Sequence, residues 1–372
     1  VKKAYLGALT GIRAVAAYMV FFHHFNPCKN STGTIGLFLE RVCEQWHVGV
    51  TIFFVLSGLL ISLRYFDSIE LTRNWAGRYM RNRLARIYPL YFLLSAVTIF
   101  FAATCPDLGL MPEWQTFSNP ERGMLTFLNL SFLRGFFSSF KFSGISQGWS
   151  LTVEESFYLI APFLLIGIKY RKQLIWLYAP ALIMAGLLLT KIFAPLNLFG
   201  FFGSDTFLFN YTFFGRSTEF IIGIALGLLV KKELLANHHA DGFKWTLAGV
   251  TWIAGSILVL VFLDSPNDFD NGLINPLSIA INNALLPVGI AMLFYGLIFE
   301  RTLIQKMLES RLMDALGKSS YAFYLVHLGI FSLLLDKYLT ESIVVKFVFL
   351  NGLAFLLYKL VEHPMHKKLA WR

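Results

Sequence analysis

Long apolar runs constrain this chain more than any other feature. A helix needs about 20 mostly apolar residues to cross a bilayer. Ten windows meet that need: 6–25, 47–66, 84–104, 149–168, 174–194, 211–230, 245–263, 276–299, 319–338 and 343–361. The runs are continuous, whereas strands of a membrane β-barrel alternate over about 10 residues. The expectation is an all-α, polytopic helical bundle of about ten transmembrane helices. Composition excludes the other classes. Of 372 residues, 56% are hydrophobic and 15% charged, against about 45–50% and 25% in soluble domains. A soluble core could not bury that much apolar surface, and disorder fails on the same grounds.

The formal net charge is +10, which could indicate nucleic acid, anionic lipid or topology. Lys and Arg near span ends set orientation. The clusters are Lys2/Lys3, then Arg64, Arg73, Arg78, Arg81, Arg83 and Arg86, then Lys169/Arg171/Lys172, Lys231/Lys232/Lys244, Arg301/Lys306/Arg311/Lys318 and Lys367/Lys368/Arg372. With ten spans, all fall on one side, which makes both termini cytoplasmic, while Asp264, Asp268 and Asp270 fall outside. The basicity then reads as topology, with no nucleic-acid partner. The run after Lys2 and Lys3 is read as an uncleaved first span, because Arg13 interrupts it and no small-residue cleavage site follows. The piece Met124–Phe137 reads as interfacial or re-entrant. Cys28, Cys43 and Cys105 all fall outside, and a Cys28–Cys43 disulfide is open in an oxidising compartment. No Cys-x-x-Cys or His-Glu-x-x-His spacing suggests a metal.

Ionisable residues inside membrane spans are costly and mark candidate functional positions. Arg13 and His24 are eleven residues apart. At 3.6 residues per turn they share one helix face, separated by roughly 16 Å. Either they line a polar cavity as anion-binding guanidinium and basic imidazole, or Arg13 pairs with Glu219 and His24 is interfacial. His23 points elsewhere, and His47 reads as interfacial. Glu154 could orient an imidazole such as His24, or could simply meet a helix dipole. Glu155 faces another way. Arg216 and Glu219, spaced i, i+3, can pair. His327, inside the ninth window, is either functional or a packing histidine. Arg83 and Arg86 share a face and could hold phosphates, or could serve as cytoplasmic anchors. There is no Gly-x-Ser-x-Gly, Walker loop or dinucleotide fingerprint. Histidine, carboxylate and arginine suit acyl transfer to a hydroxyl.

The motifs that carry a resemblance follow in chain order. They are Leu9-Thr-Gly-Ile-Arg-Ala-Val-Ala with the Arg13-x10-His24 spacing, Gly49-Val-Thr-Ile-Phe-Phe-Val-Leu-Ser-Gly, Arg83-Leu-Ala-Arg-Ile-Tyr-Pro and Trp149-Ser-Leu-Thr-Val-Glu-Glu-Ser-Phe-Tyr. Then come Arg216-Ser-Thr-Glu-Phe-Ile-Ile-Gly, Tyr321-Ala-Phe-Tyr-Leu-Val-His and Val361-Glu-His-Pro. Over nearly its whole length the chain resembles the membrane-bound acyltransferase-3 family. The resemblance implies one transmembrane domain over 1–372 without an appended soluble domain. It also implies a multi-pass protein of a bacterial inner or plasma membrane. The donor it implies is a cytosolic acyl-CoA, commonly acetyl-CoA, and the acceptor a hydroxyl of an extracytoplasmic glycan or other envelope component. By that similarity His24, Arg13 and Glu154 are catalytic. Arg83 and Arg86 bind the acyl-CoA. His327, Glu362, Arg216, Glu219, Trp149 and Ser150 shape the site, and no metal takes part. Thr51 stands where many members carry an acid, which puts any role of that acid in doubt. Other readings are a transporter or flippase with the same intramembrane charges, or a family enzyme using a succinyl donor or a lipid or small-molecule acceptor. Oligomeric state is left open, as is the choice between direct transfer and an acyl-histidine intermediate.

Overall fold

The computed structural model describes residues 6–235, 242–263 and 272–371. Lys2, Lys3, Asp264, Asp268, Asp270 and Arg372, which entered the reading of orientation, lie outside the described residues. The described residues form helices joined by short turns. They carry no strand beyond an isolated bridge between Phe137 and Phe201. In chain order the helices are α1 (Gly7–His24), α2 (Gly33–Glu44), α3 (Gly49–Tyr65), α4 (Arg73–Thr104), α5 (Pro112–Thr116), α6 (Asn119–Leu130), α7 (Trp149–Tyr170), α8 (Leu174–Phe193) and α9 (Asp205–Tyr211). Then follow α10 (Phe213–Leu235), α11 (Lys244–Leu263), α12 (Pro276–Ala280), α13 (Leu286–Phe299), α14 (Leu303–Leu308), α15 (Arg311–Val326), α16 (Ile330–Tyr338), α17 (Ile343–Leu357) and α18 (His363–Leu369).

Among the described residues eight helices are long and apolar enough to span a membrane, and nine if α15 and α16, bent by 75°, count as one span. Nine of the ten apolar windows fall in these helices. The tenth is α1, whose 18 residues include Arg13, His23 and His24, the polar groups that lower its hydropathy. The chain is thus a polytopic helical membrane protein. Met124–Phe137 is not one continuous piece: α6 ends at Leu130 and a 3-10 turn covers Leu133–Phe136.

Contacts divide the chain into two compact units. The first comprises residues 1–69, 163–184 and 214–320. Small residues let its backbones approach closely, the usual driver of helix packing in lipid. Ala8, Ala14, Ala16 and Ala17 are all buried and let neighbouring backbones close on α1 from several sides. Where α3 crosses α10, a Cβ at Gly58 would collide with the Phe220 carbonyl, and one at Gly223 with the Val55 carbonyl. The α11 start is capped from afar: the Glu300 carboxylate accepts from the Trp245 and Thr246 backbone N–H groups at 2.7 and 2.8 Å and from the Thr246 hydroxyl at 2.7 Å. A carboxylate there satisfies orphan donors and meets the positive helix end.

The second unit comprises residues 70–162, 185–213 and 321–372. Its spine is α4, started by the Thr72 hydroxyl accepting from Trp75 N–H at 3.2 Å and carrying Pro89 internally. Tyrosines tie other segments to each other and to α4. Tyr91 donates to the Asn129 carbonyl at 2.6 Å, Tyr79 to the Tyr158 carbonyl at 2.9 Å and Tyr321 to the Ile87 carbonyl at 2.8 Å. A satellite core of Ala102, Met111, Leu125, Leu128 and Phe140 packs under α6. There Ser118 and Glu121 form a capping box, and the hydrogen bonds from Ser118 hold the Glu121 carboxyl below its ordinary range.

Candidate active site

In the first unit, α1 ends in an imidazole cluster. His24 is exposed at the last position of the helix, and Arg13 is half-buried further back. The His23 ring meets the His24 ring edge-on with centroids 4.8 Å apart and the His47 ring at 5.6 Å. His23 and His47 both direct Nδ1 at the carbonyl oxygen of Glu44, at 2.6 and 3.3 Å. A carbonyl only accepts, so each imidazole carries its proton on Nδ1 in these bonds. Sequence reasoning set His23 aside because it points about 100° from His24. The link it makes crosses to α2, which helical spacing cannot reveal. His47, read as interfacial, is half-buried in the 3-10 turn Gln45–Val48 that joins α2 to α3.

Deeper in this unit, Arg216 and Glu219 form the ion pair their spacing allows. Arg216 Nε donates to Glu219 Oε2 at 2.9 Å and Nη2 to Oε1 at 2.6 Å. Nη2 also donates to the Thr51 hydroxyl at 3.0 Å, and the guanidinium lies 5.3 Å from the Phe54 ring centroid. Arg216, rather than Arg13, is thus the bidentate partner of Glu219. Thr51, in the position where many family members carry an acid, supplies a neutral oxygen to a pair that already balances its charge. Asn282 and Asn283, which the sequence reading passed over, lie in a π-helical turn, a distortion frequent at functional sites. Asn283 donates to the Gly215 carbonyl at 3.2 Å and accepts from Asn282 at 2.8 Å.

In the second unit, α4 and α7 bring together Arg83, Glu154, Glu155 and Tyr158. Arg83 is buried, with its guanidinium 5.7 Å from the Tyr158 ring centroid, whereas Arg86 is half-buried. The two arginines expected to act alike therefore occupy different environments. The Tyr158 hydroxyl donates to Glu154 Oε1. Glu155 is buried, with Glu154 and Arg83 as charged neighbours. Glu362, buried in the π-helical turn Tyr358–Glu362, joins both acids around Tyr321.

A second cluster in this unit forms where α15 breaks. His327 lies just past the helix end, not inside a continuous span, and Gly329 takes φ 89° between α15 and α16. Helix ends leave carbonyls without intrahelical partners. Gln147 Nε2 donates to those of Tyr324 and Leu325 at 2.7 and 2.8 Å, and His327 Nδ1 donates to that of Tyr324 at 2.8 Å. Ser150 Oγ lies 2.8 Å from the Tyr324 hydroxyl, and the Trp149 ring meets Tyr211 edge-on at 4.9 Å. Ser150 and His327 are therefore joined through Tyr324, and Gln147 is the member the sequence reading missed. Cys28, Cys43 and Cys105 are free thiols.

The acyltransferase-3 family, described as an acyltransferase domain, matches residues 6–359, and the chain belongs to it. One relative is a Bacillus subtilis protein provisionally named as the peptidoglycan O-acetyltransferase YrhL, 27% identical over 97% of this chain and 55% of its own length. Another is the O-acetyltransferase OatA of Staphylococcus aureus, 25% identical over 98% of this chain and 58% of its own. The chain thus spans less than two thirds of the length of these relatives. No solved structure matches it.

Proposed function

We propose that this chain is the transmembrane catalytic part of an O-acyltransferase. It moves an acyl group, acetyl by analogy with its relatives, from cytosolic acyl-CoA to a hydroxyl of an extracytoplasmic glycan. The observation that carries the reading is the family match across residues 6–359, with relatives named for O-acetylation. The name of the B. subtilis relative makes peptidoglycan the first acceptor to try. The proposed setting is a bacterial cell membrane with both termini in the cytoplasm.

His24 is the proposed general base. Its exposed ring at the end of α1 suits a large, water-borne acceptor. The imidazole takes the acceptor's hydroxyl proton as the oxygen attacks the thioester carbonyl. Arg13, on the same face of α1 but about 16 Å further back, is assigned to holding the acyl donor. The carbon–sulfur bond then breaks, and the imidazolium returns the proton to the departing CoA thiolate. Glu154, in the second unit with its carboxylate held by Tyr158, is a further residue proposed as catalytic. Arg86 and Arg83 are assigned to the acyl-CoA phosphates, which guanidinium groups recognise in bidentate fashion. The test is to incubate purified protein with labelled acyl-CoAs and envelope glycans. Ester formation on the glycan, lost in His24→Ala at normal expression, supports the reading. Solute movement without acyl transfer supports a transporter instead.

A further inference from the structure

We propose that His23 is a positioning residue for His24, acting through the backbone carbonyl of Glu44. The inference rests on His24 being the base. His24 is the last residue of α1, where the chain leaves the helix and a side chain has least support from its own ladder. His23 supplies support from another element. Its Nδ1–H is fixed on the Glu44 carbonyl at 2.6 Å, at the end of α2, and its ring edge lies against His24 with centroids 4.8 Å apart. His47 bonds the same carbonyl at 3.3 Å, and its ring centroid lies 5.6 Å from that of His23. The turn between α1 and α2 is itself tied down. Asn26 Nδ2 donates to the Glu40 carbonyl at 2.9 Å, and Asn26 Oδ1 accepts from Cys28 N–H at 2.9 Å. The carbonyl that receives both imidazoles therefore belongs to a segment held against the end of α1. The role assigned to His23 involves no contact with acyl group or acceptor. It sets where the His24 ring stands.

Geometry of this kind matters because displacing a reacting group by about 1 Å costs on the order of 10²-fold in rate. The experiment compares His23→Phe, His23→Asn and His23→Gln with the parent chain, in detergent or proteoliposomes, with acetyl-CoA as donor. Phe keeps a ring and removes the donor. The Asn amide nitrogen stands where Nδ1 does, and the Gln nitrogen stands where Nε2 does. The expected result is a fall in kcat of about tenfold or more for Phe and Gln. KM for acetyl-CoA stays unchanged, and Asn recovers to within about threefold of the parent. If His23→Phe does not fold, the Asn–Gln pair decides alone. Equal kcat in Asn and Gln, or Phe indistinguishable from the parent, overturns the inference. His24→Ala runs alongside. Full transfer by that variant removes the base assignment and the inference together, whereas its inactivity beside a fully active His23→Phe removes only the inference.

Discussion

Replacing Glu219 by Leu removes the counter-charge of a guanidinium with almost no access to water. The side chains of Arg216 and Glu219 are 5% and 0% exposed, and two hydrogen bonds of 2.6 and 2.9 Å join them. Breaking such a pair from one side costs about 3–5 kcal/mol, because an uncompensated charge stays buried. The Thr51 hydroxyl, at 3.0 Å, offsets about 1 kcal/mol of this at most. Replacing both partners, as Arg216→Met with Glu219→Leu, removes the charge as well as its partner and is expected to be near neutral. The double-mutant cycle should therefore give a coupling of about 3 kcal/mol or more. Reversible unfolding by SDS titration in mixed micelles, followed by tryptophan fluorescence, measures all four corners. Acyl transfer by the double variant then separates support from chemistry. Retained kcat makes the pair a structural brace, and lost kcat with intact stability makes it part of the reaction. A Glu219→Leu cost below about 1 kcal/mol, or costs that simply add in the double variant, would refute the reasoning.

Other outcomes follow from individual contacts. Gly58→Val should destabilise the first unit by about 1–3 kcal/mol or block folding, since the new side chain meets the Phe220 carbonyl; folded yield after detergent extraction reads this. Gln147→Leu strips a donor from two carbonyls at the α15 break; that of Tyr324 keeps His327, so the Leu325 carbonyl is the one left unsatisfied, at about 1–3 kcal/mol, and the unfolding titration should register it. Arg86→Ala should raise KM for acyl-CoA several-fold with stability unchanged, whereas Arg83→Ala, which removes a buried guanidinium from the Tyr158 ring, should lower stability as well. Unchanged KM in Arg86→Ala would remove its phosphate role.

The spans were legible because membrane insertion imposes a length and an apolar composition that one sequence displays directly. Their limits were less so. The helix of α4 starts at Arg73, about ten residues before the apolar window, since an arginine-rich stretch continues a helix without needing lipid. Similarly, α2 runs through a 3-10 turn into α3, although it lies outside the apolar windows. The 75° break after α15 sits in a window that read as one span. Its one local signal was Gly329, which adopts positive φ there without strain. Among candidate residues, the Arg216–Glu219 pair was readable because it is local to one helix. The Glu44 carbonyl that receives His23 and His47, and the Gln147 side chain that receives the broken end of α15, join residues far apart in sequence. Only the folded chain brings them together.

The measurement that bears most directly on the account is the balance of one reaction. The purified chain in proteoliposomes is supplied with labelled acetyl-CoA and envelope glycan, and free CoA thiol and glycan ester are both counted. The account predicts equal amounts of each, rising together in the parent chain and absent in His24→Ala. CoA thiol and ester that accumulate undiminished in that variant, or a parent chain that moves solute and forms no ester, would contradict it.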